Sequence, residues 1–281
     1  MQFQIRYAPS LANKPKEPKR DASGQRIDPF AHPPKDLFIT DLSANHYLVL
    51  NKFPVTREHF ILATTQYREQ THILEPDDLA ATLECIQAYA DDGQRLFAFF
   101  NCGEHSGASQ PHRHIQLLPL GQVAAGLDAP GVRLGSEWTV LADQLLSAQA
   151  RAKLPFRVFV EPLGGDLSGE KLHATYLGLY KQAFQAVKSR EPSDEELSGE
   201  VSFSYNMAMT QDIMVLCPRI AEGAPLKDST GNQVGWLGLN GTVLAGTALV
   251  KTEEEFKFLV GDGAGAVEEG LGKIGLPTAK L

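Results

Sequence analysis

The sequence predicts an α+β fold, an antiparallel sheet with helices packed against it, and three observations carry that expectation. Two runs rich in β-branched and aromatic residues, 46–53 and 59–64, are separated only by Pro54-Val55-Thr56-Arg57-Glu58, which reads as an antiparallel hairpin. A segment opening at Pro76-Asp77-Asp78 carries Leu79, Leu83, Ile86 and Ala90 three or four residues apart, the buried face of a helix. Finally, alternating βαβ periodicity with a glycine fingerprint after the first strand is absent, which disfavours a doubly wound parallel sheet.

Taken in order, residues 2–7 read as a short strand, and 9–34 as an irregular arm rich in Pro and Lys. The hairpin follows, then the helix from Pro76 to about Asp92, with proline and acid in its first turn, where they suit the orphan N–H groups and the dipole. Leu96-Phe97-Ala98-Phe99-Phe100 is a buried strand that delivers Asn101 and a small-residue loop. Residues 127–135 read as loop, 137–150 as helix and 156–160 as strand. Gly164 to Gly169 is the best seam. It divides an N-terminal portion, residues 1–165, which holds the arm and the chemistry, from a C-terminal portion, residues 166–281. The C-terminal portion opens with a helix over 170–189. It continues with strands at 201–209, 213–217, 234–239 and 242–251, and closes with helices at 253–256 and 266–274.

Composition narrows the function classes. Hydrophobic residues at 43% and charged residues at 21% suit a water-soluble globular chain. No apolar run reaches about 18 residues, so no membrane span or membrane partner is expected, and the first residues lack the apolar core of a signal peptide. Cys85, Cys102 and Cys217 are scattered, without zinc or disulfide spacing, which fits a reducing cytoplasm. A net charge of −8 argues against nucleic acid as partner. It leaves an anionic nucleotide open, because screening confines exposed charges to about 8 Å and a few local cations decide.

The chemistry concentrates in Asn101-Cys102-Gly103-Glu104-His105-Ser106-Gly107-Ala108-Ser109-Gln110-Pro111-His112-Arg113-His114-Ile115-Gln116. Pro111 ends the loop. Beyond it, His112, His114 and Gln116 alternate with Arg113, Ile115 and Leu117, so on a strand both imidazoles and the amide share one face. Beside a glycine-bearing loop this pattern suits phosphate handling; metal ligation or a plain hydrogen-bonded pair would use the same spacing.

His112-Arg113-His114-Ile115-Gln116 resembles the His-x-His-x-Gln signature of the nucleotidyltransferase branch of the histidine-triad (HIT) superfamily. The loop, together with Asn51-Lys52-Phe53-Pro54-Val55 and Glu58-His59-Phe60, is similar to the diadenosine tetraphosphate phosphorylases, also called ATP adenylyltransferases. The resemblance implies a HIT-like sheet whose C-terminal, strand-rich portion completes the nucleotide site. It implies His114 as nucleophile, His112 as its support and Gln116 as a donor to a phosphoryl oxygen. Substrate contacts are implied for Lys14, Asn51, Lys52, Asn101, Gly107, Ala108, Ser109, Gln110, Asn240, Gly241, Thr242, Thr247 and Lys251. Asp28 stands where the family's Asn-Pro-Phe stretch has asparagine. The implied partners are a dinucleoside polyphosphate, ATP, ADP and inorganic phosphate. No cofactor is expected to be tightly bound and no residue is assigned to a metal; Mg²⁺ would arrive on the polyphosphate. Rival readings are a uridylyltransferase-like enzyme, which usually has His-Pro-His where Arg113 stands, a HIT hydrolase, which has a third histidine at Gln116, and a nucleotide-binding regulator without turnover.

Overall fold

The computed structural model describes residues 3–12, 24, 27–125, 138–165, 167–261 and 263–278. Lys14 and the loop expected at 127–135 lie outside the described residues. The chain runs through β1 (Gln4–Tyr7), β2 (Phe38–Asp41), β3 (His46–Leu50), β4 (Phe60–Thr64), α1 (Pro76–Asp91), β5 (Leu96–Cys102) and β6 (His114–Pro119). Three short helices, α2 (Leu120–Ala124), α3 (Leu141–Gln144) and α4 (Ala148–Ala152), lead to β7 (Phe159–Pro162) and the long α5 (Gly169–Lys188). Strands β8 (Tyr205–Met209), β9 (Ile213–Pro218), β10 (Gly223–Lys227), β11 (Gln233–Gly238) and β12 (Thr247–Val250) follow, and α6 (Glu253–Val260) and α7 (Ala264–Ile274) come last.

Eight strands form one sheet in the order β2-β3-β4-β6-β5-β8-β9-β7, every neighbouring pair antiparallel. The α+β expectation is met. Alternation along the central strands sorts side chains to two sides. Ala98, Phe100, Ile115 and Leu117 pack with Leu79, Leu83 and Ile86 of α1 and with Tyr176 and Tyr180 of α5. Phe97, Phe99 and Leu118 turn the other way, onto Val243, Leu244 and the C-terminal elements. A small cluster of Phe30, Tyr47, Val49, Ile61 and Ala63 adjoins them beside the signature strand. Each large apolar side chain so buried contributes about 1.5–3 kcal/mol of transfer free energy, enough to make β5 the spine of the domain.

Local chemistry sets the helix ends. Glu75 and Asp78 form a reciprocal capping box at α1, with Pro76 at its first position. Ser168 caps α5 by accepting from the Lys171 amide. Gly169 lets α5 approach α1 closely, since a Cβ there would lie 2.6 Å from the Pro76 carbonyl oxygen. No described helix is long and apolar enough to cross a membrane.

Several expectations are corrected. β2 and β10 were not expected; β2 is an edge strand with all four residues exposed, so it carries no core signal. The helix read at 137–150 is instead two short pieces, α3 and α4, broken by a turn at Leu145–Ser147. The strand read at 242–251 begins as a 3-10 turn, Gly241–Ala245, because the Asn240 side chain caps the Thr242 amide; Gly246, at φ 77°, then releases the chain into β12.

Candidate active site

His114 begins β6, paired with Ala63 of β4. Its Nδ1 lies 2.8 Å from the His112 carbonyl oxygen. A carbonyl only accepts, so Nδ1 carries the proton and Nε2 is left as the lone-pair nitrogen. The Gln70 side chain accepts from the His114 amide at 2.7 Å and donates to the Asn101 and His114 carbonyls at 2.8 and 3.2 Å. Phe30 stacks on the imidazole, centroids 5.0 Å apart. The ring is therefore fixed in tautomer, height and tilt.

Gln116 is oriented by His59. The Val55 amide donates to His59 Nδ1 at 3.3 Å, so in the neutral ring the proton sits on Nε2, 3.1 Å from Gln116 Oε1. With its oxygen taken, the Gln116 amide turns its NH₂ end away from His59. Asn51 accepts from the Phe53 amide at 2.9 Å, and its Nδ2 packs 3.2 Å from the same His59 nitrogen.

His112, 1% exposed, is clamped from both sides. Its Nδ1 lies 2.7 Å from an Asp28 carboxylate oxygen, and its Nε2 lies 2.8 Å from the Thr64 carbonyl and 2.9 Å from the Thr64 hydroxyl. Arg113 points the opposite way and is also buried. It donates to Asp78 at 2.8 Å and Glu75 at 3.2 Å, and Asp78 in turn meets His46 Nε2 at 2.9 Å. His46, Asp77 and Asp78 have their ligand atoms close enough together for a metal ion. Arg113 on Asp78, and Arg68 on Asp77 at 3.1 Å, already neutralise those carboxylates.

Two cavities flank the loop before β6. The first, about 330 Å³, has an apolar end formed by Pro29, Phe30, Leu37, Val49 and Ile61, and a polar end with Asn51, Lys52, Ser109, Gln110, His114 and Gln116. The second, about 550 Å³, is lined by Leu11, Gly107, Ala108, Ser109, Glu222, Asn240, Lys251 and Glu255. Ser109 borders both. The loop is shaped from outside: Gly107 has φ 79°, and a Cβ there would fall 2.8 Å from that of Asn240. Asn206, itself held by Arg219, donates to the Ser106 carbonyl at 2.9 Å. Burial lowers the Arg219 pKa, and burial pushes the Cys102 thiol up to about 12, which disqualifies it as a nucleophile at neutral pH.

The structure thus gathers His114, Gln116, Asn51, Lys52, Gly107, Ala108, Ser109, Gln110, Asn240 and Lys251 around two adjoining cavities, and holds His112 buried next to His114 without lining either. Asn101, Gly241, Thr242 and Thr247 are placed differently, being buried and bordering neither cavity. Asn101 Oδ1 accepts from Asn206 Nδ2 and from the Gly241 amide, both at 2.9 Å. Thr242 holds Asn240 and the Thr247 carbonyl, and Thr247 reaches Gln4. These four brace the site. Ala108, expected to contact substrate, lines the second cavity while its amide donates to the Ser106 hydroxyl at 3.2 Å. Sequence reasoning missed His59, Thr64 and Gln70 as orienting residues, since each acts across strands; the only trace was His59 inside the family-like Glu58-His59-Phe60.

An antiparallel sheet flanked by two nucleoside-sized cavities, with a tautomer-fixed histidine beside a glycine-bearing loop, defines an enzyme of the nucleotide-transferring class. The family model for the Ap4A phosphorylase N-terminal domain matches residues 1–133, and that for the ATP adenylyltransferase C-terminal domain matches 152–277. The chain is 32% identical to diadenosine 5',5'''-P1,P4-tetraphosphate phosphorylase 2 of Saccharomyces cerevisiae, over 99% of this chain and 84% of that protein. It is 27% identical to Protein APA1 of the same yeast, over 91% and 78%. The crystal structure of yeast Ap4A phosphorylase Apa2 superposes with a TM-score of 0.73 at 27% identity, over 98% of this chain and 86% of that one; its complex with Ap4A gives 0.70 at 25%, over 98% and 85%. The chain belongs to the Ap4A phosphorylase (ATP adenylyltransferase) family.

Proposed function

We propose that the chain phosphorolyses diadenosine tetraphosphate to ADP and ATP through a covalent His–AMP on His114. The observation that carries the covalent step is the 2.8 Å contact from His114 Nδ1 to the His112 carbonyl, which makes Nε2 the nucleophilic nitrogen at the polar end of the first cavity. Nε2 attacks the α-phosphorus of one adenylyl group, an N–P bond forms, the bridging P–O bond breaks, and ATP leaves. ATP is a weakly basic leaving group and needs little acid help. Inorganic phosphate then attacks the same phosphorus, the N–P bond breaks, and ADP is released.

Gln116 donates to a phosphoryl oxygen through the NH₂ end that His59 leaves available. An amide cannot relay a proton, which disfavours water and suits phosphate, already an anion. The reacting adenosine occupies the apolar end of the first cavity, the polyphosphate crosses at Ser109, and the second nucleoside lies in the second cavity. Lys52 and Lys251, one at each cavity, offset the chain of phosphates, and Lys14 is assigned the same task. Mg²⁺ enters with the polyphosphate. Nucleic acid and membrane have no role in this reading, and three free, buried cysteines suit a reducing cytoplasm.

The test is incubation with radiolabelled Ap4A, with and without phosphate. ADP plus ATP formed only with phosphate, and an acid-labile His–AMP trapped without it, are expected. AMP as the main product, or binding without turnover, would refute the assignment.

A further inference from the structure

Behind the loop and the second cavity runs a closed circuit of hydrogen bonds whose charged member is Arg219, 3% exposed. Its Nη2 donates to the Leu239 carbonyl at 2.8 Å and to the Ala221 and Glu222 carbonyls at 2.9 and 3.2 Å. Its Nε donates to the Ile274 carbonyl at 3.3 Å, and its Nη1 donates to Asn206 Oδ1. The polarity of every further link is then forced. A guanidinium only donates, so Asn206 gives it the amide oxygen and keeps Nδ2 for Asn101 Oδ1 and the Ser106 carbonyl, both at 2.9 Å. Asn101 Oδ1 also accepts from the Gly241 amide at 2.9 Å, and Gly241 lies two residues beyond Leu239, where the circuit began. Asn101 and Asn206 stand on β5 and β8, and Arg219 directly follows β9, so the circuit is mounted on three adjacent strands of the sheet.

The circuit grips two parts of the site at once. Through Ser106 it holds the start of the loop whose Gly107, Ala108 and Ser109 line the second cavity and whose Ser109 and Gln110 line the first. Through Leu239 and Glu222 it holds the opposite side of the second cavity, where Asn240 follows Leu239. The two parts touch: a Cβ on Gly107 would lie 3.2 Å from the same Leu239 oxygen that Arg219 holds, and 2.8 Å from the Asn240 Cβ. We propose that Arg219 is a positioning residue that fixes the loop against the Asn240 wall, and that the resulting separation of the two cavities selects the number of phosphates bridging the two nucleosides. The claim rests on the reading that each cavity takes one nucleoside. A bridge one phosphate too short cannot seat both nucleosides while its α-phosphorus meets His114, and one too long must buckle against the loop. Lysine cannot replace Arg219 in this task, because a compact ammonium lacks the planar fork that reaches Asn206 and Leu239 together.

The experiment compares diadenosine tri-, tetra- and pentaphosphate as substrates of the wild type, Arg219→Lys, Arg219→Gln and Gly107→Ala, with the urea midpoint of each as a control for folding. The wild type should favour the tetraphosphate. Arg219→Lys should lose about 10²-fold in kcat/KM on the tetraphosphate, the order expected when reacting groups are misplaced by about 1 Å, and much less on the other two, so that the ratios among lengths move toward one. Gly107→Ala, which wedges a Cβ between the loop and the Asn240 wall, should flatten the ratios from the other side. A loss equal on all three substrates would make Arg219 a residue of the fold alone, and a wild type indifferent to length would remove the spacing from specificity; either overturns the proposal. If Arg219→Gln fails to fold, Arg219→Lys and Gly107→Ala still decide. Calorimetric binding of the three dinucleotides to His114→Ala, with and without Arg219→Lys, separates this claim from the proposed reaction. A length preference in binding that Arg219→Lys abolishes upholds the clamp even if no His–AMP is trapped in the wild type. His–AMP formed in the wild type, beside a length preference that Arg219→Lys leaves intact, sinks the clamp and spares the reaction.

Discussion

On one face of β6 and the residues leading into it, His112, His114 and Gln116 are held by hydrogen bonds from separate elements: Asp28, Thr64, His59 and Gln70. On the other face Arg113, Ile115 and Leu117 are locked to α1, the first by ion pairs to Asp78 and Glu75 and the others by close packing. Both faces are largely buried, yet the first leaves lone pairs and N–H groups aimed at a cavity and the second leaves none. One strand thus carries its chemistry on a rigid backing, and substitutions on its two sides should separate activity from stability.

The largest expected effect is on the chemical face. His114→Ala should abolish transfer, losing more than the roughly 10²–10⁴-fold typical of an acid–base helper, while the denaturant midpoint hardly moves. A loss inside that range would demote His114 from nucleophile to assistant. On the backing face the order reverses. Arg113→Met should cost roughly 3–5 kcal/mol, because it takes from the buried Asp78 its nearest guanidinium partner, with activity per folded molecule much less affected. Equilibrium unfolding in urea measures this, and a cost below about 1 kcal/mol would mean that His46, Arg68 and the Glu75 amide satisfy Asp78 without it.

A finer test stays on the chemical face. Gln116→His should lower total turnover by about 10²-fold, as for loss of one aimed donor, and should raise the ratio of AMP to ADP formed at fixed phosphate. A wild-type ratio at a measurable rate would locate the choice of acceptor in the phosphate pocket instead. The smallest effect belongs to the rim, where Lys52 is exposed. Lys52→Met should raise KM by about two- to fivefold, and the residual binding should depend less on salt. No change in KM would leave Lys52 an ordinary surface residue.

What the sequence made legible follows the same division. The hairpin β3–β4, helix α1 and strand β5 were readable because their apolar residues keep one period and are bounded by Pro76 or by the turn 54–58. The 3-10 turn at 241–245 was not, since Val243, Leu244 and Ala245 are buried on all sides and show no period. β10 was hidden by its own Pro225, which argues against a strand interior. In the site, the alternation of His112, His114 and Gln116 announced their shared face. Nothing local announced Gln70 or Thr64, whose partners lie 44 and 48 residues away. Asn101, Gly241, Thr242 and Thr247 were read as substrate contacts from the family resemblance alone; the fold buries them, and they line neither cavity.

Strand β5 has its second neighbour, β8, a hundred residues further along the chain. During synthesis its seven wholly buried residues, Leu96–Cys102, therefore emerge with one hydrogen-bonding edge unpaired until Tyr205–Met209 leaves the ribosome. Such an edge is a template for another chain. A fragment stopped before Tyr205 should associate or precipitate even though it holds the whole His-x-His-x-Gln strand, and a soluble, monomeric fragment would show that α1 and α5 shield the edge well enough alone. The nascent protein depends on its last third for solubility before it ever depends on it for substrate.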